Sequence, residues 1–249
     1  MDERERTHPA FVSCPRSSSP FATNGKDKQA TENKEQVSRF RPHSHAADVG
    51  IGTLDALSAE ARACRVCAAV LPLGPRPVFQ VSATARLLIA SQAPGTRVHE
   101  SGIPYTDASG ARLREWLGIP ESVFYDAARV AILPMGFCYP GRVPNGGDAP
   151  PRPECAPLWR ARFLAAMPSL RLTLLVGLYA QDWYARAWML GRGTMTERVR
   201  DFRNYLPRSF PLPHPSWRSL LWERKNPWFR EEVLPALRRE VARILSSKA

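Results

Sequence analysis

The sequence predicts an α/β fold, in which helices cover both faces of a short parallel sheet of about four strands to give a three-layer α/β/α sandwich. The chain has 249 residues and is 44% hydrophobic, which is enough to build one globular domain with a core. Short apolar runs typical of buried strands alternate along it with segments whose apolar residues recur at helical spacing. Strands separated by helices are expected to pair in parallel and to be buried on both faces.

The four predicted strands are short apolar runs that end in turn-forming residues, and they span 85–90, 129–135, 170–177 and 209–216. The fourth contains several prolines, which are tolerated at a sheet edge, so we expect it to be an edge strand. The predicted helices begin near residue 54 and include 111–119, 156–167, 178–190 and the C-terminal segment 226–245. No apolar stretch of about 18 residues is present, so none is predicted to cross a membrane.

Charge and composition divide the chain into two parts. Residues 1–52 are polar and are predicted to be a disordered tail, whereas residues 53–249 are predicted to form the folded domain. The net charge is +12, and because the tail carries eight Lys/Arg and seven Asp/Glu, +11 of it belongs to the folded domain. A basic domain favours a polyanionic partner such as nucleic acid. The N-terminus has no apolar secretion signal, so we expect a cytoplasmic protein with reduced thiols.

Four cysteines of the predicted domain form two pairs. Cys64 and Cys67 have the spacing C-x2-C, and Cys138 and Cys155 are separated by residues 139–154, which contain five prolines and three glycines. That loop composition excludes a regular helix or strand. Four thiolates in two pairs predict a metal site, and the spacing alone allows either a zinc ion or a [4Fe–4S] cluster. Its predicted role is to fix the long loop.

His214 lies between two prolines in the stretch "PLPHPSWRS". Proline fixes its own backbone and favours an extended conformation in the residue before it, so Pro213-His214-Pro215 is expected to form a stiff loop. The loop follows the fourth predicted strand, and ligands of open parallel sheets bind at the carboxyl ends of the strands. The segment "SQAPG" (91–95) follows the first predicted strand and is expected at the same edge.

Four segments, in the same order, resemble the uracil-DNA glycosylase superfamily and in particular its iron–sulfur branch. These are "CRVC", "IASQAPGTRVHESGIPYTDASGARLREWLGI", "AILPMGFCYPG" with the later "PEC", and "PHPSWRS". The resemblance covers about residues 54–245. It implies a uracil-DNA glycosylase-like fold and a [4Fe–4S] cluster, with zinc as the alternative, held by Cys64, Cys67, Cys138 and Cys155. It also implies a monofunctional enzyme that flips a damaged base such as uracil out of DNA and hydrolyses its N-glycosidic bond.

The resemblance also assigns roles to individual residues. His214 would donate a hydrogen bond to the anion that develops on the base as the glycosidic bond breaks. The Gln92 and Ala93 backbone would line the base edge, and Tyr105 would stack under the base. Ser216 would contact a flanking phosphate. Trp217 and Arg218 would enter the minor groove. For Trp217, packing beneath the loop is the alternative.

Three positions depart from the family pattern. Gln92 stands where a glutamate is usual, and its neutral amide could position a water but could not act as a strong base. Pro134 stands where the branch has an asparagine that reads the base, and proline offers no donor, so Gln92 is the natural substitute. His99 occupies the place of a frequent aspartate and is predicted to position water or to bind phosphate, with Glu100 as a second candidate.

These observations leave three functional hypotheses. The first is a DNA glycosylase that acts as a monomer on damaged DNA. The second, favoured by Pro134 and Gln92, is a catalytically weak or inactive nucleic-acid-binding protein of the same fold. The third is a metal-containing hydrolase of a small nucleotide, against which stand the positive charge and the absence of a phosphate-binding glycine-rich loop.

Overall fold

The computed structural model describes residues 53–144, 146–187 and 193–246. The predicted tail, residues 1–52, lies outside the described residues, as does the end of the helix predicted over 178–190.

Four parallel strands form the single sheet of the described residues, in the order β2-β1-β3-β4. They are β1 (Leu87–Ala90), β2 (Val130–Ile132), β3 (Leu172–Val176) and β4 (Ser209–Leu212). Every strand residue is buried, as expected when helices cover both faces of a parallel sheet. The predicted four-stranded parallel sheet is confirmed, and the proline-containing β4 lies at its edge.

Nine α-helices surround the sheet in the described part of the chain. They are α1 (Leu54–Arg62), α2 (Thr96–Ser101), α3 (Ala108–Leu117), α4 (Glu121–Phe124), α5 (Cys155–Ala165), α6 (Leu178–Ala187), α7 (Met195–Arg200), α8 (Ser219–Lys225) and α9 (Leu234–Ser246). A π-helical turn, Phe229–Val233, runs into α9. Helices α1, α3, α5, α6 and α9 confirm the sequence predictions, whereas α2, α4, α7 and α8 were not predicted. Within the described ranges, no helix is long and apolar enough to span a bilayer.

Side chains that alternate along the strands build two separate cores. Leu87 and Ile89 of β1 pack with α3 and α9 on one face of the sheet. Leu88 packs on the other face with α1 and α5, and Ala90 packs there with α6. This alternation is the period of a strand, and it confirms the three-layer sandwich.

The strand order places a crevice at the carboxyl ends of β1 and β3. From β1 the chain crosses to β2 on one side, whereas β3 and β4 lie on the other, so the connections diverge at this point. Ligands of open α/β sheets bind at such a switch point. The loop that follows β1 begins at Ser91, and Gly177 directly follows β3.

The first turn of helix α3 packs closely against the backbone of Tyr105, which precedes the helix. Asp107 caps the helix, and its carboxylate accepts a hydrogen bond from the Gly110 backbone N–H at 3.0 Å. A Cβ atom on Gly110 would lie only 1.8 Å from the carbonyl oxygen of Tyr105. The first turn of α3 can therefore approach Tyr105 this closely only because residue 110 is glycine.

Gly110→Ala is expected to lower the free energy of unfolding by at least about 2 kcal/mol, because the new methyl group displaces backbone in a packed region. Alanine has the higher helix propensity, so propensity alone would raise stability. The measurement is chemical denaturation. Gly74→Ala is the control: Gly74 has φ +72° with no atom within 4 Å of a new Cβ, so it should cost only about 1–2 kcal/mol of backbone strain. A Gly110→Ala protein as stable as the wild type would contradict this packing.

Candidate active site

A cavity of about 420 Å³ opens at the carboxyl edge of the sheet. The loops that follow β1, β2 and β4 line it, together with residues 104–109 and part of the loop between Cys138 and Cys155. Eight of the residues predicted for base or DNA contacts lie on its wall: Gln92, Ala93, Tyr105, Pro134, His214, Ser216, Trp217 and Arg218.

His214 follows the edge strand β4 and packs over the turn that ends β3. A Cβ atom on Gly177, which has φ +83°, would lie 3.4 Å from the Cβ of His214, so the ring rests directly against this glycine. Burial lowers the pKa of His214, and the negative charge of Asp107 raises it in part. The imidazole is therefore neutral at physiological pH, and a neutral imidazole can donate one hydrogen bond.

Tyr105 forms the wall beside α3. Its backbone lies in the left-handed region at φ 58°, which is unusual for a residue with a bulky side chain. Its carbonyl accepts a hydrogen bond from the Tyr125 hydroxyl at 3.1 Å, and its ring meets Phe124 edge-on at 5.9 Å between centroids. Burial raises the pKa of the Tyr105 phenol, so the hydroxyl keeps its proton.

Gln92 is already engaged within the protein. Its side-chain nitrogen donates to the carbonyl of Ala149 at 2.9 Å, and its backbone carbonyl accepts from Gly136 N–H at 3.0 Å. The amide oxygen and the second N–H of the side chain remain for a water or a base. One N–H of the donor that sequence reasoning offered as a substitute for the missing asparagine is thus directed at the 139–154 loop.

Pro134 lines the cavity at the end of β2, and a buried arginine fixes it from behind. Arg160 is 2% exposed and donates from one nitrogen to the carbonyls of Leu133 at 2.7 Å and Pro134 at 2.9 Å. Its other terminal nitrogen donates to the Tyr184 hydroxyl at 2.9 Å. Pro134 therefore gives the cavity a rigid apolar ring instead of a polar side chain, and its carbonyl is already hydrogen-bonded to Arg160.

The mouth of the cavity carries an exposed aromatic and a cation. Trp217 is 73% exposed, so the alternative in which it packs beneath the loop is wrong. The guanidinium of Arg218 lies 5.1 Å from the centroid of the Trp217 ring, within range of a cation–π contact. An exposed tryptophan next to an arginine suits insertion into a nucleic-acid groove.

A buried ion-pair network holds this mouth in place. Arg112 of α3 donates to the Ser216 carbonyl at 3.0 Å and pairs with Glu223 of α8, whose side chain is 4% exposed. Arg230 pairs with the same carboxylate at 2.8 Å. Two cations and several hydrogen bonds compensate the buried charge of Glu223, as such burial requires.

Two carboxylates that sequence reasoning did not identify also line the cavity: Asp107 and Asp148. Burial raises the pKa of Asp148, as does the charge of Asp107, whereas Arg142 and Arg218 lower it. Asp107 could have been found as a capping residue type a few positions before the predicted helix 111–119, in the region where an N-cap is expected. Asp148 carries no comparable signal, since it lies in an irregular loop.

The family model of the uracil DNA glycosylase superfamily matches residues 78–238, which include every residue described above as lining the cavity. The chain belongs to the uracil DNA glycosylase superfamily. The matched range also contains Cys138 and Cys155, whereas Cys64 and Cys67 precede it.

His99 lies apart from the cavity of this superfamily member. It is in helix α2 and is 9% exposed. Its ring faces Tyr139 at 6.2 Å between centroids, and burial lowers its pKa, as does the charge of Arg76. The predicted water-positioning or phosphate-binding role of His99 therefore has no support in its position, because the helix turns it inward. Glu100 is exposed on the same helix.

The four domain cysteines converge on a second, small cavity. Burial raises the pKa of Cys138 to about 11 and that of Cys155 to about 12, and the other thiols add to both shifts. Among the residues described, no three Cys, His, Asp or Glu side chains are grouped to hold a single metal ion. A donor set of four thiols nevertheless fits a thiophilic group, and bound metal would be needed to make them thiolates.

The imidazole of His214 is expected to titrate with a midpoint below 6.5, because burial disfavours its charged form. Asp107→Asn should lower this midpoint further, since it removes the charge that favours the protonated ring while keeping an acceptor for the cap of α3. The measurement is the pH dependence of the ring proton shifts by NMR, assigned by comparison with His214→Gln. A midpoint at or above 6.5, or one raised by Asp107→Asn, would contradict the environment described here.

Proposed function

We propose that this chain is a monofunctional DNA glycosylase that flips a deaminated base such as uracil into the 420 Å³ cavity and hydrolyses its N-glycosidic bond. The observation that carries the proposal is the convergence of His214, Tyr105 and the exposed Trp217 on one cavity. Membership of a superfamily of DNA glycosylases supports it. It acts as a monomer and leaves an abasic site.

The neutral imidazole of His214 supplies the electrostatic part of the reaction. As the bond between the sugar carbon and the base nitrogen breaks, negative charge develops on the base. A donor fixed by two flanking prolines and by Gly177 stabilises that charge without reorganising. A neutral imidazole can fill such a role, because it donates one hydrogen bond to the forming anion.

The cavity carboxylates supply acceptors for the attacking water. Asp107 and Asp148 both line the cavity, whereas the amide nitrogen of Gln92 is bonded to Ala149. A carboxylate orients water by accepting a hydrogen bond from it and takes its proton as the water oxygen bonds to the sugar carbon. The bond to the base breaks with its electron pair on the base, which leaves as the anion that His214 stabilises; the carboxylate then releases its proton and the base is protonated, so that water is added overall. The two carboxylates thus take the water-positioning role that was predicted for His99, and Gln92 supports them in that role.

The basic character of residues 53–249 suits binding to DNA. Their net charge is +11, and Arg142 and Arg218 lie at the cavity itself. Binding that neutralises phosphates releases counterions, so affinity should fall steeply as salt is raised. Such a dependence separates a DNA-binding protein from a hydrolase of a small nucleotide.

A second candidate function is DNA binding by the same fold with little or no catalysis. Pro134 offers no side-chain donor, and one N–H of the Gln92 amide is bonded to a loop carbonyl, so the base contacts expected from these two positions are reduced. This alternative predicts tight, salt-sensitive binding to DNA without excision of any base.

The deciding measurement is single-turnover excision by anaerobically purified protein on oligonucleotides that contain uracil, hypoxanthine, xanthine or no lesion. We expect cleavage of at least one deaminated base and its loss in His214→Ala, with DNA affinity within about twofold of wild type. One lost oxyanion donor typically costs about 10²–10³ in rate. Equal excision by His214→Ala would remove this residue from the mechanism, and binding without any excision would favour the second candidate.

We further propose that Cys64, Cys67, Cys138 and Cys155 hold a structural [4Fe–4S] cluster, with zinc as the alternative. The four thiols line one cavity, and four cysteine ligands are what a [4Fe–4S] cluster requires. The loop between Cys138 and Cys155 places Asp148 in the wall of the active-site cavity. A cluster bound by the cysteines at both ends of this loop would therefore stabilise the position of Asp148.

Anaerobically purified protein should contain about four iron and four sulfide per chain and absorb broadly in the visible range. Cys138→Ser should lose both iron and absorbance because it removes a ligand, whereas Cys14→Ser, outside the predicted set, should retain them. The measurements are metal and sulfide analysis with absorption spectroscopy. Colourless protein with one zinc per chain would overturn the cluster and keep the four ligands.

A further inference from the structure

Each of the four strands is directly preceded by an arginine. Because the strands are parallel, these four positions share the amino edge of the sheet, opposite the carboxyl edge that carries the cavity. We call the four residues the arginine row: Arg129 before β2, Arg86 before β1, Arg171 before β3 and Arg208 before β4.

The arginine row is in register from strand to strand. The backbone N–H of Arg86 donates to the carbonyl of Arg129 at 3.1 Å, and that of Arg171 donates to the carbonyl of Arg86 at 2.8 Å. The carbonyl of Arg208 accepts from the N–H of Thr173 at 3.0 Å. Neighbouring strands lie about 4.8 Å apart, so the row extends for about 14 Å along the edge.

The positive charges of the row are not compensated within the part of the chain that the structure describes. The side chains of Arg86, Arg171 and Arg208 have no ion pair and no hydrogen bond to any described residue. Arg129 donates from one nitrogen to the carbonyl of Leu245 at 3.4 Å. Arg171 and Arg208 are exposed, so their guanidinium groups are open to a partner from solution.

Acidic side chains are scarce in the segments that lead into the strands. Residues 82–86, 126–129, 167–171 and 205–208 contain one acid, Asp126, whose carboxylate accepts a hydrogen bond from the Ala128 backbone N–H at 3.0 Å. Like charges at neighbouring cross-strand positions repel each other and destabilise a sheet. A row of four cations that the fold does not compensate therefore indicates a ligand with matching negative charge.

We propose that the arginine row binds the phosphate backbone of a second DNA duplex, separate from the duplex whose base enters the cavity. The sheet lies between the row and the cavity, so one straight duplex at the cavity mouth does not reach the row. One chain therefore holds two DNA segments at the same time, which goes beyond the glycosylase function proposed above.

The chemistry and the spacing of the row both suit a phosphodiester backbone. A guanidinium binds phosphate through paired hydrogen bonds to two oxygens, and all four cations of the row are arginines. Along about 14 Å of its axis, one strand of B-DNA places about four phosphates, the same number as the cations of the row. Phosphate contacts carry no sequence information, so the second duplex needs no damaged base.

The test measures whether protein held on one duplex captures another. Protein is bound to an undamaged duplex on beads at low salt, and capture of a second, fluorescent, undamaged duplex is measured. Wild type should capture it, whereas Arg171→Gln/Arg208→Gln, which removes the two exposed cations of the row, should capture about tenfold less. Arg62→Gln/Arg239→Gln removes the same charge from exposed positions outside the row, and as the matched control it should capture like wild type.

Thermal unfolding shows whether the row serves the fold instead of a ligand. Removing two like charges relieves repulsion, so Arg171→Gln/Arg208→Gln should have a Tm at low salt equal to or above that of wild type. A lower Tm in this variant would mean that the arginines stabilise the fold, and it would overturn their assignment to a ligand.

The outcomes separate this site from the proposed glycosylase, because single-turnover excision does not require the row. Excision by wild type without capture of a second duplex, or with equal capture by the row variant, overturns the site and leaves the glycosylase intact. Capture that depends on the row, without excision of any base, supports the site and overturns the glycosylase. Row-dependent binding of inorganic polyphosphate without capture of a duplex overturns the assignment to DNA.

Discussion

Parallel pairing of four short strands is the constraint on which the rest of the molecule depends. All four run in the same direction, so all four carboxyl ends meet at one edge. The strands are completely buried, which leaves the loops at that edge as the place where polar side chains can reach solvent. The residues between β1 and α2, those after β2 and those after β4 come together there because the sheet brings them together, although the sequence separates them widely.

His214, Tyr105 and Pro134 are each held in place by the residues that surround them. Two prolines and a glycine with positive φ fix His214, and a glycine beneath a strained carbonyl fixes Tyr105. Arg160, from the opposite helical layer, immobilises the carbonyl of Pro134. A site assembled in this way is preorganised, and preorganisation is what electrostatic stabilisation of a developing charge requires.

The sequence was sufficient to predict the sheet, its edge strand and the five longest helices, because these depend on local apolar patterns. Helices α2, α4, α7 and α8 have four to seven residues and therefore too few turns to show periodicity. The inward position of His99 could not be predicted for the same reason, since it depends on the short helix α2. The contacts of Gln92 with Ala149 and of Arg160 with Pro134 join distant segments, and no local pattern announces them.

Arg112 links the helix beside the cavity to the loop that carries the exposed Trp217. It projects from α3, the helix whose first turn supports Tyr105, and it holds both the Ser216 carbonyl and Glu223 beside the exposed Trp217. The element that would enter the duplex and the element that would receive the extruded base are thus joined through one side chain. Under the proposed function, force exerted by a duplex on the tryptophan would be transmitted to the pocket, so that entry into the duplex and inspection of a nucleotide would be mechanically coupled.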